Sequence, residues 1–212
     1  VDSEEILAQV AKEVAVCTKC TLYHSRKNAV PGEGPANSEI MFIGEGPGFY
    51  ENEQGRPFVG AAGKFLDELL AQAGLKRSEV WIGNVVKCRP PSNRDPQLDE
   101  LAACDPYLER QIKAIHPTII VTLGRYSMAK FMPAAKISQV HGQMRRVGDL
   151  FVIPMFHPAA ALHQAKYKPD IIADFVKLPE LLDQARMALA KSVPSPQELP
   201  SETDEPEQLS LF

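Results

Sequence analysis

The residues able to do chemistry cluster at a few points of the chain. A Gly-rich turn, Gly44-Glu45-Gly46-Pro47-Gly48, leads into a polar stretch, Glu51-Asn52-Glu53-Gln54-Gly55-Arg56-Pro57-Phe58-Val59-Gly60. Asn84 precedes Lys87-Cys88-Arg89-Pro90-Pro91, and His157 opens His157-Pro158-Ala159-Ala160. The turn lacks the Lys-Ser/Thr of a phosphate loop and the spacing of a dinucleotide fingerprint. On its own it reads equally as a tight turn that needs small residues. Phe58 is either a core anchor or an aromatic floor for a flat ligand. Cys17 and Cys20 form a C-x2-C pair, while fifteen residues separate Cys88 from Cys104. Four thiols in this pattern suit zinc or a four-iron cluster. A redox dithiol lacks its strand context here, and a cysteine nucleophile would need a paired His that the sequence does not place. His24, His116, His141 and His163 sit in no motif and carry no assignment.

The elements that position these residues follow from apolar periodicity. Runs at 40–44, 80–86, 118–123 and 150–156 predict four buried strands. Segments 61–73 and 98–115 repeat apolar residues at helical spacing: Phe65, Leu66, Leu69 and Leu70 in one, Leu101, Leu108, Ile112 and Ile115 in the other. Strands alternating with helices predict an α/β fold with a parallel sheet covered on both faces. In such a sheet ligands bind beyond the carboxyl ends of the strands. Glu45, Asn84 and His157 follow three different strands and are therefore expected in one crevice.

Composition bounds the rest. A chain of 212 residues that is 44% hydrophobic can build a packed core, and no apolar run reaches bilayer length. The N-terminal segment is acidic and amphipathic rather than signal-like, which predicts a cytosolic protein with reduced thiols. The net charge of −4 lies wholly in residues 191–212, where Lys191 faces five acids. The body, 1–190, is therefore neutral overall and free to carry a basic face. The tail is rich in Pro, Ser and Glu and predicts disorder, so the expected organisation is one folded domain over 1–190 and a disordered acidic segment over 191–212. No apolar face is left over, which predicts a monomer.

In combination, Cys17-x2-Cys20, GEGPG at 44–48, GRPFVGAAG at 55–63, NVVKCRPP at 84–91, Cys104 and HPAA at 157–160 resemble the family 4, iron–sulfur, uracil-DNA glycosylases. The resemblance spans roughly residues 17–162. It implies a three-layer α/β/α sandwich around a central four-stranded parallel sheet, and hydrolytic removal of uracil from single- or double-stranded DNA in base excision repair. It implies a 4Fe-4S cluster on Cys17, Cys20, Cys88 and Cys104, with a structural role. Glu45 and Gly46 would line the uracil pocket, Phe58 would stack on the flipped base, and Asn84 would pair with its amide edge. His157 would donate to O2 as charge builds on the leaving base.

These roles are physically sensible. A glycosylase must take its base out of the stack. An Asn offers one donor and one acceptor to uracil O4 and N3–H, a pattern that cytosine reverses. A preorganised donor at O2 stabilises the departing anion. For the attacking water, the candidates are Glu51 and Asn52. Relatives often carry Glu-Asp there, and polar residues where this chain has Phe49-Tyr50. Some relatives trap DNA covalently through a His in an insertion near the second motif. Asn84 runs straight into Lys87 without one, which predicts hydrolytic turnover.

Lys64, Arg89, Arg94, Arg145 and Arg146 are candidate phosphate contacts. The end of the tail, Gln208-Leu209-Ser210-Leu211-Phe212, resembles the bacterial sliding-clamp-binding peptide, with Gln208, Leu209, Leu211 and Phe212 as anchors. That likeness points to a bacterial source and a nucleoid-associated role. Two other classes fit parts of the pattern. One is a non-catalytic iron–sulfur module that binds uracil-containing or damaged DNA. The other is a metal enzyme acting on small molecules. Three site residues at three strand ends weigh against both.

Overall fold

The computed structural model describes residues 2–192. Its elements in chain order are α1 (Ser3–Ala15), β1 (Ile40–Gly44), α2 (Phe49–Gln54), α3 (Ala61–Gln72), β2 (Trp81–Asn84), α4 (Leu98–Ile115), β3 (Ile119–Leu123), α5 (Arg125–Phe131), α6 (Ile137–Val140), β4 (Arg145–Val147), β5 (Leu150–Met155), α7 (Pro158–His163), α8 (Lys168–Val176) and α9 (Leu178–Ser192). The strands form one sheet in the order β2-β1-β3-β5-β4. β2, β1, β3 and β5 are parallel, and β4 pairs antiparallel with β5. The family fold thus holds, but the sheet has five strands rather than the four expected. β4 escapes the sequence because it is three residues long and shows no apolar alternation. Gly148, at φ 60°, turns it into β5.

Alternation along the strands feeds two cores. Ile40, Phe42, Val121, Leu123 and Ile153 pack with Phe65, Leu66, Leu69 and Leu70 of α3 and with Ile171, Phe175 and Leu182 of α8 and α9. Met41, Ile43, Ile120 and Val152 pack on the opposite face with Leu108, Ile112 and Ile115 of α4. The result is the expected three layers. The strand at 80–86 is shorter than its apolar run. After Asn84 the chain leaves the ladder, although Val85 and Val86 still donate to the carbonyls of Gly44 and Glu45. This keeps the loops after β1 and β2 side by side at the site. α9 continues through Ser192, two residues past the expected domain boundary. No helix among the described residues is long and apolar enough to cross a membrane.

One buried carboxylate fastens the segment before β4 to α8. Asp174 is nearly inaccessible to solvent, binds His141 Nδ1 at 2.6 Å and lies 3.6 Å from Lys177 Nζ. Gly142, at φ 68°, brings the backbone so close that a Cβ there would lie 2.0 Å from Asp174 Oδ1. Hydrogen bonds to charged groups contribute about 1.5–3 kcal/mol. Asp174→Ala should therefore lower stability by about 2 kcal/mol in urea unfolding. An unchanged midpoint would show that the contact carries no stability.

Candidate active site at the carboxyl ends of the strands

A cavity of about 610 Å³ opens beyond the ends of β1, β2 and β5. Glu45, Gly46, Glu51, Phe58, Asn84 and His157 all line it, so the convergence expected from three separate strands is present. Phe58 is buried and its ring stacks on the His157 imidazole, with centroids 5.5 Å apart and planes 25° apart. Asn84 is 2% exposed. Among the described residues two buried side-chain polar atoms lack a hydrogen-bond partner, Asn84 Oδ1 and Thr122 Oγ1, and only Asn84 belongs to the cavity wall. Leaving such an atom unpaired costs about 1–3 kcal/mol, which an entering N–H donor would return.

The aromatic floor is built under strain. Phe58 has φ 51°, in the left-handed region, which costs a non-glycine residue about 1–3 kcal/mol. Arg77 offsets this from across the structure. Its guanidinium donates to the carbonyls of Pro57 (2.6 Å) and Phe58 (3.3 Å), and is itself held by Glu33 and Asp67. Two glycines make room. A Cβ at Gly63 would sit 1.9 Å from the Phe58 carbonyl oxygen. One at Gly44 would sit 2.5 Å from Asn84 Oδ1 and 2.8 Å from the Phe58 ring.

His157 caps α7, its Nδ1 accepting from the Ala159 N–H at 3.1 Å. With Nδ1 engaged as an acceptor, the single proton of the neutral ring lies on Nε2. Burial pushes the imidazole pKa down to about 4, against an opposing pull from Glu51. The ring is therefore a neutral donor at physiological pH. Glu51 Oε1 accepts from the backbone N–H groups of Val59 and Gly60, both at 2.9 Å. Burial raises the Glu45 pKa, an effect moderated by the Tyr126 N–H that its Oε1 accepts at 3.1 Å.

The structure separates the pair Glu51 and Asn52. Asn52 is buried outside the cavity wall, and its Oδ1 accepts from the Lys27 N–H at 2.9 Å. Glu51 lines the cavity, whereas the Asn52 side chain turns to the backbone of the 27–28 segment. Among the proposed phosphate contacts, Arg94 lines the cavity but is held by the Glu100 carboxylate. Arg89 lies over the Phe49 ring at 5.3 Å and binds Asn93. Lys64 is exposed on α3. Arg145 and Arg146 lie on the edge strand β4, outside the cavity wall. Sequence reasoning passed over Arg77, His163, Asn93 and Asp95. The last three line the cavity but belong to no motif.

The four cysteines line a second, much smaller cavity together with Lys19, Arg26 and Lys87. Arg26 Nη1 donates to Cys88 Sγ at 3.4 Å. Burial raises the pKa of Cys20 and Cys88 and pushes Cys104 up to about 11. Among the described residues no group of three or more His, Cys, Asp or Glu is disposed to hold a single metal ion.

Gly63→Ala should displace Phe58 and cost about 1–3 kcal/mol, as overpacking does. A urea unfolding midpoint equal to the parent's would show that the close approach carries no stability. His157 generates a pH dependence of stability. Its folded pKa lies below the unfolded value of about 6.5, so its contribution is complete above that pH and is lost as pH falls towards 4. Unfolding of the parent and of His157→Gln at pH 4.5, 5.5 and 6.5 should differ by an amount that shrinks on acidification. Parallel curves would place the imidazole pKa near normal.

Comparison with known proteins shows the family of the chain. Residues 31–178 match the model of the uracil DNA glycosylase superfamily. The chain is 48% identical to a type-4 uracil-DNA glycosylase of Sulfurisphaera tokodaii over 185 residues, 82% of this chain and 84% of that protein. It is 43% identical to one from Archaeoglobus fulgidus, covering 87% and 98% of the two chains. It is 46% identical to one from Thermotoga maritima, covering 75% and 84%. With the motif residues gathered in one cavity and relatives of this closeness, the chain belongs to the uracil DNA glycosylase superfamily, among the type-4 enzymes.

Proposed function

We propose that this protein excises uracil from DNA by hydrolysing the N-glycosidic bond, leaving an abasic site for base excision repair. The observation that carries the reading is the unpartnered Asn84 Oδ1 in the wall of a cavity floored by Phe58. A uracil lying on the Phe58 ring offers its N3–H to that oxygen and its O4 to the amide nitrogen. Cytosine would meet the same side chain with an acceptor at N3 and a donor at C4. His157 donates through Nε2–H to uracil O2 as the C1′–N1 bond breaks, stabilising the uracil anion without itself being charged. Glu51 orients the water that adds to the sugar cation. Its Oε1 is held by two backbone N–H groups, which leaves Oε2 for the water. Asn52 serves instead as an anchor for the 27–28 segment.

Cys17, Cys20, Cys88 and Cys104 would hold a 4Fe-4S cluster. Support comes from their sharing one cavity and from the cations Lys19 and Arg26 beside it. When bound, the cluster supplies a cross-link between the end of α1, the loop after β2 and α4. Lys64, Arg89, Arg94, Arg145 and Arg146 are proposed to hold the DNA backbone, Arg94 after release from Glu100. The clamp-binding peptide at 208–212 and the tail beyond residue 192 lie outside the described residues. We retain both as proposals, with a monomeric enzyme working in the cytoplasm on nucleoid DNA. Equal capture on immobilised sliding clamp with and without residues 208–212 would remove the peptide from the reading.

The deciding experiment is base release from a uracil-containing oligonucleotide in EDTA, read as alkali-labile strand cleavage. The parent should release uracil. Asn84→Ala should lose about 10–100-fold, the equivalent of one unpaired buried group. His157→Ala should lose about 10²–10³-fold, as removal of an oxyanion donor does. Binding without release by the parent would replace the enzyme with a non-catalytic DNA-binding module.

A further inference from the structure

Lys87 is 1% exposed, yet the chemistry above gives it no task. Its Nζ donates to the backbone carbonyl of Asn84 at 2.9 Å and to Gln111 Oε1 at 2.7 Å. Lys87 also lines the four-thiol cavity, together with Cys104 and with Cys88, the next residue in the chain. Gln111 is fixed in turn, its Nε2 donating to the Pro31 carbonyl at 2.8 Å. Cys104 and Gln111 stand two turns apart on α4 and so face the same side. One residue therefore lines the four-thiol cavity and holds, through its ammonium, the backbone of the asparagine proposed to read the base. No carboxylate pairs with the buried ammonium, and burying a lysine for packing alone is costly.

We propose that Lys87 is a positioning residue that joins the four-thiol cavity to Asn84, so that the order of the cysteine shell sets the direction of Asn84 Oδ1. The strut runs from the wall of the four-thiol cavity through Lys87 to the Asn84 carbonyl, with Gln111 bracing the ammonium from α4. The inference rests on the proposed uracil reading of Asn84. Misplacing a contact by a fraction of an ångström is enough to cost a large factor in rate.

A double-mutant cycle on the full-length, iron-loaded protein tests it. Parent, Lys87→Met, Asn84→Ala and the double variant are compared in three ways. These are single-turnover uracil release, Kd for an oligonucleotide carrying non-cleavable 2′-fluorodeoxyuridine, and iron per chain. Lys87→Met should keep parental iron, because all four cysteines remain. It should lose about tenfold in release and in affinity. In the Asn84→Ala background the same substitution should change both by less than about twofold, since the group it positions is gone. Lys87→Gln, which keeps a donor, should recover part of the loss. Equal losses in both backgrounds, or parental release by iron-replete Lys87→Met, overturn the inference. If Lys87→Met fails to fold or to load iron, Gln111→Leu takes its place in the cycle and is judged by the same two outcomes. A parent that leaves uracil in place overturns the proposed function and this inference with it. A working parent with additive losses overturns this inference alone.

Discussion

The site depends on a close backbone approach at Phe58. Its left-handed conformation lets the aromatic ring reach over the cavity while its carbonyl turns towards Arg77. The strain there, about 1–3 kcal/mol, is comparable to what one charge-assisted hydrogen bond contributes. Arg77 supplies two such bonds, to adjacent carbonyls, and is fixed by Glu33 and Asp67. Gly63 and Gly44 complete the arrangement by having no side chain. Any Cβ at either position would occupy space already taken by Phe58 or Asn84. The glycines of the GEGPG and GRPFVGAAG segments thus act as spacers for an aromatic ring and an amide. No phosphate needs to be invoked to explain them.

Much of this was legible in the sequence because its signals are local. Continuous apolar, β-branched runs located β1 and β3, and helical spacing located α3 and α4. The rule that ligands gather beyond parallel strand ends brings Glu45, Asn84 and His157 together from the sequence alone. What escaped was non-local or too short. Arg77 serves carbonyls about 20 residues away, and no sequence period marks such a pairing. β4 is three residues long, two of them arginines. Asn52 and Glu51 looked equivalent as polar neighbours, and only the fold decides which one faces the cavity. The role of Lys87 was hidden for a different reason. In the string it reads as one more cation before a cysteine, and only burial shows that it reaches back to Asn84.

The two cavities are less independent than their chemistry suggests. β2 ends at Asn84 in the larger one, and four residues later the same chain supplies Cys88 to the smaller. Val86 packs with Cys88, Cys104 and Leu22, while a Cβ at Gly46 would meet that same Val86 side chain at 2.9 Å. The segment 84–88 is therefore a shared wall. Whatever holds the thiols also holds the back of the pocket.

The neutral state of His157 follows from its surroundings as a whole. Glu51 lines the same cavity and pulls towards the imidazolium, as would the phosphates of a bound strand. Burial acts in the opposite direction and prevails, and the neighbouring His163 adds to it. The Ala159 N–H also occupies Nδ1, so a second proton on the ring would require giving up a helix-capping bond. In the proposed reaction a neutral donor would bind the ground-state carbonyl of uracil only modestly, and its interaction would strengthen as negative charge accumulates on O2. An imidazolium would already attract the neutral base and the phosphates, spending part of its advantage before the bond breaks. The cavity thus favours the form whose stabilisation grows along the reaction, which is what differential binding of a transition state requires.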